Sequence, residues 1–284
     1  LHTRRRRQRQ MCIRDSWDDI YFDGSTSVNC GAFSDLNIDL NISSGTVTAI
    51  GDITTNQIIV SSGATFNVST TNFTNDNTVN IDGTLQITSG SFTTTGNTDV
   101  DGTLTISTGT YDGNGSFDVT NGNLTFTDAG IIKLSGNVTS LGSFTKGTGK
   151  IEFDGSGSQN LPSQAITVHN FEIDNSSGIT LAGDFTVEGT LTLTSGDIVS
   201  SSSNKLTISS SVSGGSASSH ISGPVDFLAS GTSECFIPIG NGSVYTPIKL
   251  QRNGGSSTTY TAEYKSGTPA GASLNWASNS TGLP

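Results

Sequence analysis

Ile81-Asp-Gly-Thr-Leu-Gln-Ile-Thr-Ser-Gly-Ser-Phe92 is answered 19 positions on by Val100-Asp-Gly-Thr-Leu-Thr-Ile-Ser-Thr-Gly-Thr-Tyr111. A glycine followed shortly by apolar-x-apolar recurs along the chain, with the first apolar residue at Val47, Phe66, Leu85, Leu104 and Leu124. Two residues later stand Ala49, Val68, Ile87, Ile106 and Phe126. Two-residue alternation inside a period of 19 or 20 predicts a parallel β-solenoid (β-helix) in which each repeat is one coil. The apolar residues then point inward and the intervening Thr, Gln and Ser outward. Coils stacked about 4.8 Å apart would set Leu85 over Leu104 in a continuous ladder. Gly83, Gly102 and Gly189 are expected at one corner, Gly90, Gly109 and Gly196 at the next. The last glycine of each set comes from Val187-Glu-Gly-Thr-Leu-Thr-Leu-Thr-Ser-Gly196, where the pattern returns.

Composition agrees with an all-β chain. Thr, Ser, Gly and Asn dominate, and the helix formers Ala, Glu, Lys and Met are scarce. Disorder is the rival for so polar a sequence, but evenly spaced Ile, Val, Leu and Phe argue against it. No apolar run reaches the roughly 18–20 residues a membrane helix needs, so membrane insertion is not expected.

Residues 1–16, LHTRRRRQRQMCIRDS, closely resemble a translated sequencing adapter and are set aside as a non-native, disordered segment. Without them the chain holds seven Lys+Arg against 23 Asp+Glu, a net charge of −16 rather than −11. So acidic a chain repels nucleic acid and anionic membranes. Both natural termini are expected to be missing, any export signal with the first.

The solenoid is expected over 17–221, with a looser register between about 130 and 177 where Gly155-Ser-Gly-Ser-Gln-Asn-Leu-Pro162 reads as a protruding turn or insertion. From 222 to 284 prolines (Pro224, Pro238, Pro247) and longer strands such as Tyr260–Tyr264 predict the start of a truncated β-sandwich-like domain. The stretches Val168–Asn175, Leu181–Gly196, His220–Val225, Phe236–Gly240, Tyr245–Ile248 and Thr259–Tyr264 are similar to large secreted repeat proteins of Bacteroidota. That resemblance implies a secreted or cell-surface location, and it implies no activity.

Candidate chemistry is sparse. Glycoside hydrolysis needs two carboxylates some 5–10 Å apart, and lyases of acidic glycans need a base with cationic partners. The one mixed charge cluster is Lys146 and Lys150 with Glu152 and Asp154, read as a solvated turn. Asp82, Asp101 and Glu188 form an acid column beside the corner glycines, read as turn caps. His169 and His220 stand far apart, without neighbours at metal-ligand spacing. The metal candidate is calcium at Asp112, Asn114, Ser116 and Asp118, whose alternate oxygens could converge on a hard cation; Phe117 and Asn123 depart from an EF-hand loop. An ordinary Gly/Asn corner competes with it. Cys30 and Cys235 are expected as isolated thiols, because an elongated stack keeps them apart.

The expectation is therefore a non-catalytic stalk or adhesive segment that meets extracellular glycan or matrix. A carbohydrate-active β-helix enzyme is the alternative, although Trp17, Tyr21, Tyr111, Tyr245 and Trp276 are too scattered for an evident sugar platform. Ice binding is the third reading. It rests on outward columns Thr46, Thr65, Thr84, Thr103, Asn123 and Thr48, Asn67, Gln86, Thr105, Thr125.

Overall fold

The computed structural model describes residues 19–267 except positions 36 and 255, and leaves aside the side chains at 25, 26 and 160. The adapter-like segment, Trp17 and the end of the expected C-terminal domain from 268 on, with Trp276, lie outside the described residues. The chain is all-β, a parallel solenoid of about 11 turns, with no helix among the described residues. A typical coil runs through three strands, for example Val79–Ile81, Thr84–Ile87 and Ser91–Thr94. Each pairs in parallel with its counterparts one period away, so the stack has three faces. Face 1 carries Val79–Ile81, face 2 carries Thr84–Ile87 and face 3 carries Ser91–Thr94.

On face 2 the expected ladder is in place: Val47, Phe66, Leu85, Leu104 and Leu124 stand in register, and Phe144 extends it. These side chains share one core with the inward residues of the other faces, continuous as far as Ile239 and Ala262. Face 3 adds an aromatic column that runs up the axis. Phe73 stacks on Phe92 at 4.8 Å between centroids, and Phe92 on Tyr111 at 5.5 Å. The Tyr111 hydroxyl, fully buried, bonds the inward Thr98 hydroxyl, and burial raises its pKa. Tyr111 is thus a core residue and no part of a sugar platform.

Close approach rather than backbone angle explains the corner glycines Gly83, Gly90, Gly102, Gly109 and Gly189, whereas Gly196 also has a left-handed φ of 83°. A Cβ on Gly102 would lie 2.0 Å from the Gly83 carbonyl oxygen of the coil before. Gly102→Ala is therefore expected to cost about 1–3 kcal/mol, the usual penalty of overpacking, read as a lower urea midpoint by circular dichroism.

The last copy of the motif departs from expectation. Leu191 and Leu193 align with Phe171 and Ile173 on face 3, not with the Leu85–Leu104 ladder of face 2. Gly189 accordingly turns a different corner, its amide donating to the His169 carbonyl at 2.6 Å. The physical reason lies in the coil upstream, where the turns on either side of face 1 lengthen and the corner before face 3 shrinks to His169, while the face 3 pairing of Ile151 with Phe171 keeps an ordinary period. Strand Val138–Ser140 on face 1 and strand Ser143–Thr145 on face 2 have no strand partner in the following coil, and their sheets end there. Face 1 resumes with Gln159–Asn160 and face 2 with Ile166–Val168, as separate sheets. The looseness expected over 130–177 is confined to these two faces. Face 3 keeps its pairing throughout, from Phe33–Ser34 to Ser211–Gly214, with one bulge after Ile173.

Parallel pairing continues past 222, to Leu206–Ile208 with Val225–Phe227 and to Ile221–Ser222 with Ile239–Gly240. Antiparallel strands then cover the end of the stack. Thr258–Ala262 closes on Val225–Ala229, Ile248–Gln251 on Glu234–Ile237, and Val244–Tyr245 on Gly240–Asn241. Such strands shield the edge that a bare last coil would present.

Candidate functional site

The densest charge lies outward on face 3, where Asp112, Lys133, Glu152 and Glu172 are stacked in register on four successive coils. Lys150 stands beside them, one strand position from Ile151. Glu152 is 5% exposed, and its carboxylate is held by Lys133 at 2.6 Å and Lys150 at 2.8 Å. Lys150 also reaches Glu172 at 2.6 Å, whose other oxygen accepts from the Thr194 hydroxyl at 2.9 Å. Asp154 accepts from Ser135 at 2.7 Å.

Electrostatics follow from this ladder. Burial pushes the Glu152 carboxyl up, but the hydrogen bonds from Lys133 and Lys150 outweigh it and hold the pKa below the usual value. The Lys133 ammonium is raised by its bond to Glu152 against a smaller effect of burial. Burial pulls the Lys150 ammonium down, and the bonds to Glu152 and Glu172 more than reverse that. Asp112 goes the other way: burial, then repulsion from Asp154, raises it against a partial pull from Lys133. Both lysines are thus committed to carboxylates. To receive an acidic sugar, either would first have to leave Glu152.

This differs from the cluster expected from sequence. Lys146 does not join it, because its ammonium lies 2.7 Å from Glu188. Glu188 in turn leaves the expected acid column. Asp101 remains at the corner above Asp82, where Asn121 donates to it at 3.0 Å. The members that sequence reasoning missed are Lys133 and Glu172. They lie 19 residues before and 20 after Glu152, so one coil period added to Glu152 in each direction finds them.

The calcium candidates straddle a corner. Asp112 is on face 3 and Asp118 on face 1, in successive strands. Asp118 Oδ1 accepts from the Thr120 amide at 2.9 Å and from its hydroxyl. Asn114 donates to the Thr94 carbonyl at 3.1 Å and, at 3.5 Å, to Asp112. The Ser116 amide donates to Asn97 at 3.0 Å. Only Asp112 and Asn114 are brought together, and among the described residues no three His, Cys, Asp or Glu side chains are grouped to hold a metal.

His220 is fully buried, its Nδ1 3.1 Å from Asp197 and 3.3 Å from the Ser216 carbonyl. Its Nε2 has no hydrogen-bond partner among the described residues. His169 lies at the corner between Ile166–Val168 and Asn170–Asp174. Cys235 is free as expected, whereas the inward Cys30 is disulfide-bonded. The expectation of isolated thiols weighed only the pair Cys30 and Cys235; the third cysteine, Cys12, lies outside the described residues.

Face 2 presents the opposite surface. Thr46, Thr65, Thr84, Thr103 and Asn123 align, as do Thr48, Asn67, Gln86, Thr105 and Thr125. Backbone bonds from Thr88 to Val68, Ser107 to Ile87 and Thr127 to Ile106 set a third column, Ser69, Thr88, Ser107 and Thr127, beside them. None of these positions is charged or aromatic. A cleft of about 350 Å³ lies at the end of this face, lined by Phe144, Lys146, Gln164 and Ile166.

No family model, curated protein or solved structure matches this chain. No helix among the described residues is long and apolar enough to cross a membrane.

Proposed function

We propose that the chain is a non-catalytic segment of a bacterial secreted or cell-surface protein, of the kind the Bacteroidota resemblance implies. It serves as a stalk whose polar faces make weak, repeated contacts with extracellular glycan or matrix. The observation that carries this reading is the fate of the charges. The densest cluster of carboxylates and ammonium groups among the described residues is consumed in ion pairs of 2.6–2.8 Å on a strand ladder. A stack of coils with identical spacing supplies many equivalent weak contacts rather than one strong one.

The test is a glycan array with a parallel polysaccharide-cleavage assay, each with and without calcium. Expected are no new reducing ends or unsaturated sugars, and weak binding that strengthens at least ~10²-fold when the chain is displayed as a multimer. Release of sugar products would replace the stalk with the enzyme reading. Binding abolished by chelator would assign a calcium role to Asp112–Asp118.

Ice binding is favoured by a separate observation, the three aligned uncharged columns of face 2 in an otherwise acidic chain. Hydroxyls repeated at strand spacing can hold an ordered layer of water. Inhibition of ice recrystallisation by the purified chain would establish it, and unimpeded recrystallisation would leave face 2 to matrix contact.

A further inference from the structure

Two of the three ladders stop at the same coil. Between Val138–Ser140 and Gln159–Asn160 on face 1, and between Ser143–Thr145 and Ile166–Val168 on face 2, strand pairing is absent. Glutamine side chains bridge both gaps. Gln159 Nε2 donates to the carbonyls of Leu134 at 2.8 Å and Gly136 at 2.7 Å. Gln164 Oε1 accepts from the Ser140 hydroxyl at 3.0 Å and the Leu141 amide at 3.3 Å. On face 2 the gap opens into the cleft beside Phe144 and Lys146.

Face 3 crosses the same place intact and is reinforced there. Lys150 to Phe153 pair with Asn170 to Ile173, the Lys150 ammonium reaches Glu172 across the junction, and Phe153 packs on Phe171 at 5.7 Å. Stacked repeats owe their cooperativity to the interface between neighbours. An interface with one strand ladder, where every interface before it and the next two after it have three, divides the stack.

We propose that this junction is a built-in hinge between two stiff blocks, 20–153 and 159–262. Face 3 is the hinge leaf. Faces 1 and 2 open away from it when the Gln159 and Gln164 bonds and the Lys146–Glu188 ion pair release, so the rod bends in one direction without unravelling either block. The face 3 strand ladder and its Lys150–Glu172 ion pair keep the blocks attached while the glutamine catches let go. The inference follows from the pairing pattern and does not depend on the stalk reading.

Hydrogen exchange read by mass spectrometry, on the full chain in rising urea, tests it. The amides of Leu141, Gly142 and Thr167 are expected to exchange at least ~10-fold faster than those of Leu104 and Leu206, as opening there is local. The peptides of 20–153 and of 166–262 are expected to lose protection in two separate steps. Gln164→Leu should speed exchange at the junction further while Leu104 and Leu206 keep their wild-type rates. Loss of both blocks in a single cooperative step overturns the proposal, whatever the local rate. So does a Gln164→Leu variant that weakens Leu104 and Leu206 as much as the junction.

Discussion

Phe92→Ala is expected to lower stability by about 3–5 kcal/mol, the range for emptying a fully packed aromatic site. Phe92 has no exposed surface and is clamped between Phe73 and Tyr111, nearly parallel to both at 16° and 9°. Strand ladders above and below fix the backbone, so the neighbouring rings cannot close the void. Two face-to-face contacts are lost together, each worth about 0.5–1.5 kcal/mol beyond the area it buries. The check is urea unfolding followed by far-ultraviolet circular dichroism. With the hinge in place, the transition of residues 20–153 should move alone. A midpoint within error of wild type would mean that the coil collapses around the cavity, and the aromatic column would then be less rigid than its geometry indicates.

Why the Leu85–Leu104 ladder could be read in advance, and the face reached by the last copy of the motif could not, is a matter of counting. Phe92 and Tyr111 close two rungs of identical length, so every step inside them repeats and each residue lands on its predecessor. The period carries the ladder Val47–Leu124 in the same way. Gly-Thr-Leu-Thr-Leu-Thr-Ser-Gly at 189–196, by contrast, spells only a corner, a strand and another corner. Any of the three corners accepts that phrase. Which face it reaches depends on how each coil divides its residues among the corners, and around Gly155–Pro162 the turns flanking face 1 gain what the corner before face 3 loses.

The same cause hid half of the charge ladder. Lys133 and Glu172 are remote from Glu152 in sequence and adjacent only once the period is applied across the irregular coil, where face 3 alone preserves it. Lys146, although near Lys150 in sequence, lies across a corner, and its partner is Glu188 of a later coil. Local proximity is a poor guide in a solenoid, because a strand turns away after four residues while its true neighbours wait a whole coil.

Glu152→Ala is expected to cost about 2–4 kcal/mol at neutral pH, less than the 3–5 for breaking a fully buried pair because both lysines are partly solvated. Two ammonium groups would be left facing one another on adjacent coils, with Glu172 compensating only Lys150. The pH dependence identifies the origin of the loss. The folded pKa of Glu152 is depressed, so its contribution is complete above the ordinary glutamate value of about 4.3 and disappears as pH falls through the lower folded value. Lys133 and Lys150 are raised, so theirs holds below about 10.4 and is lost as pH rises through the higher folded values. Asp112, raised by burial and Asp154, has the opposite sign: its strain is relieved as acid protonates it, softening the onset of the acid limb. Wild-type stability should therefore show a plateau with an acid and an alkaline shoulder, and Glu152→Gln, which keeps the shape and removes the charge, should lose most of both. Urea midpoints measured from acid to alkaline pH distinguish this from simple loss of packing, which would lower the whole curve of Glu152→Gln without changing its form.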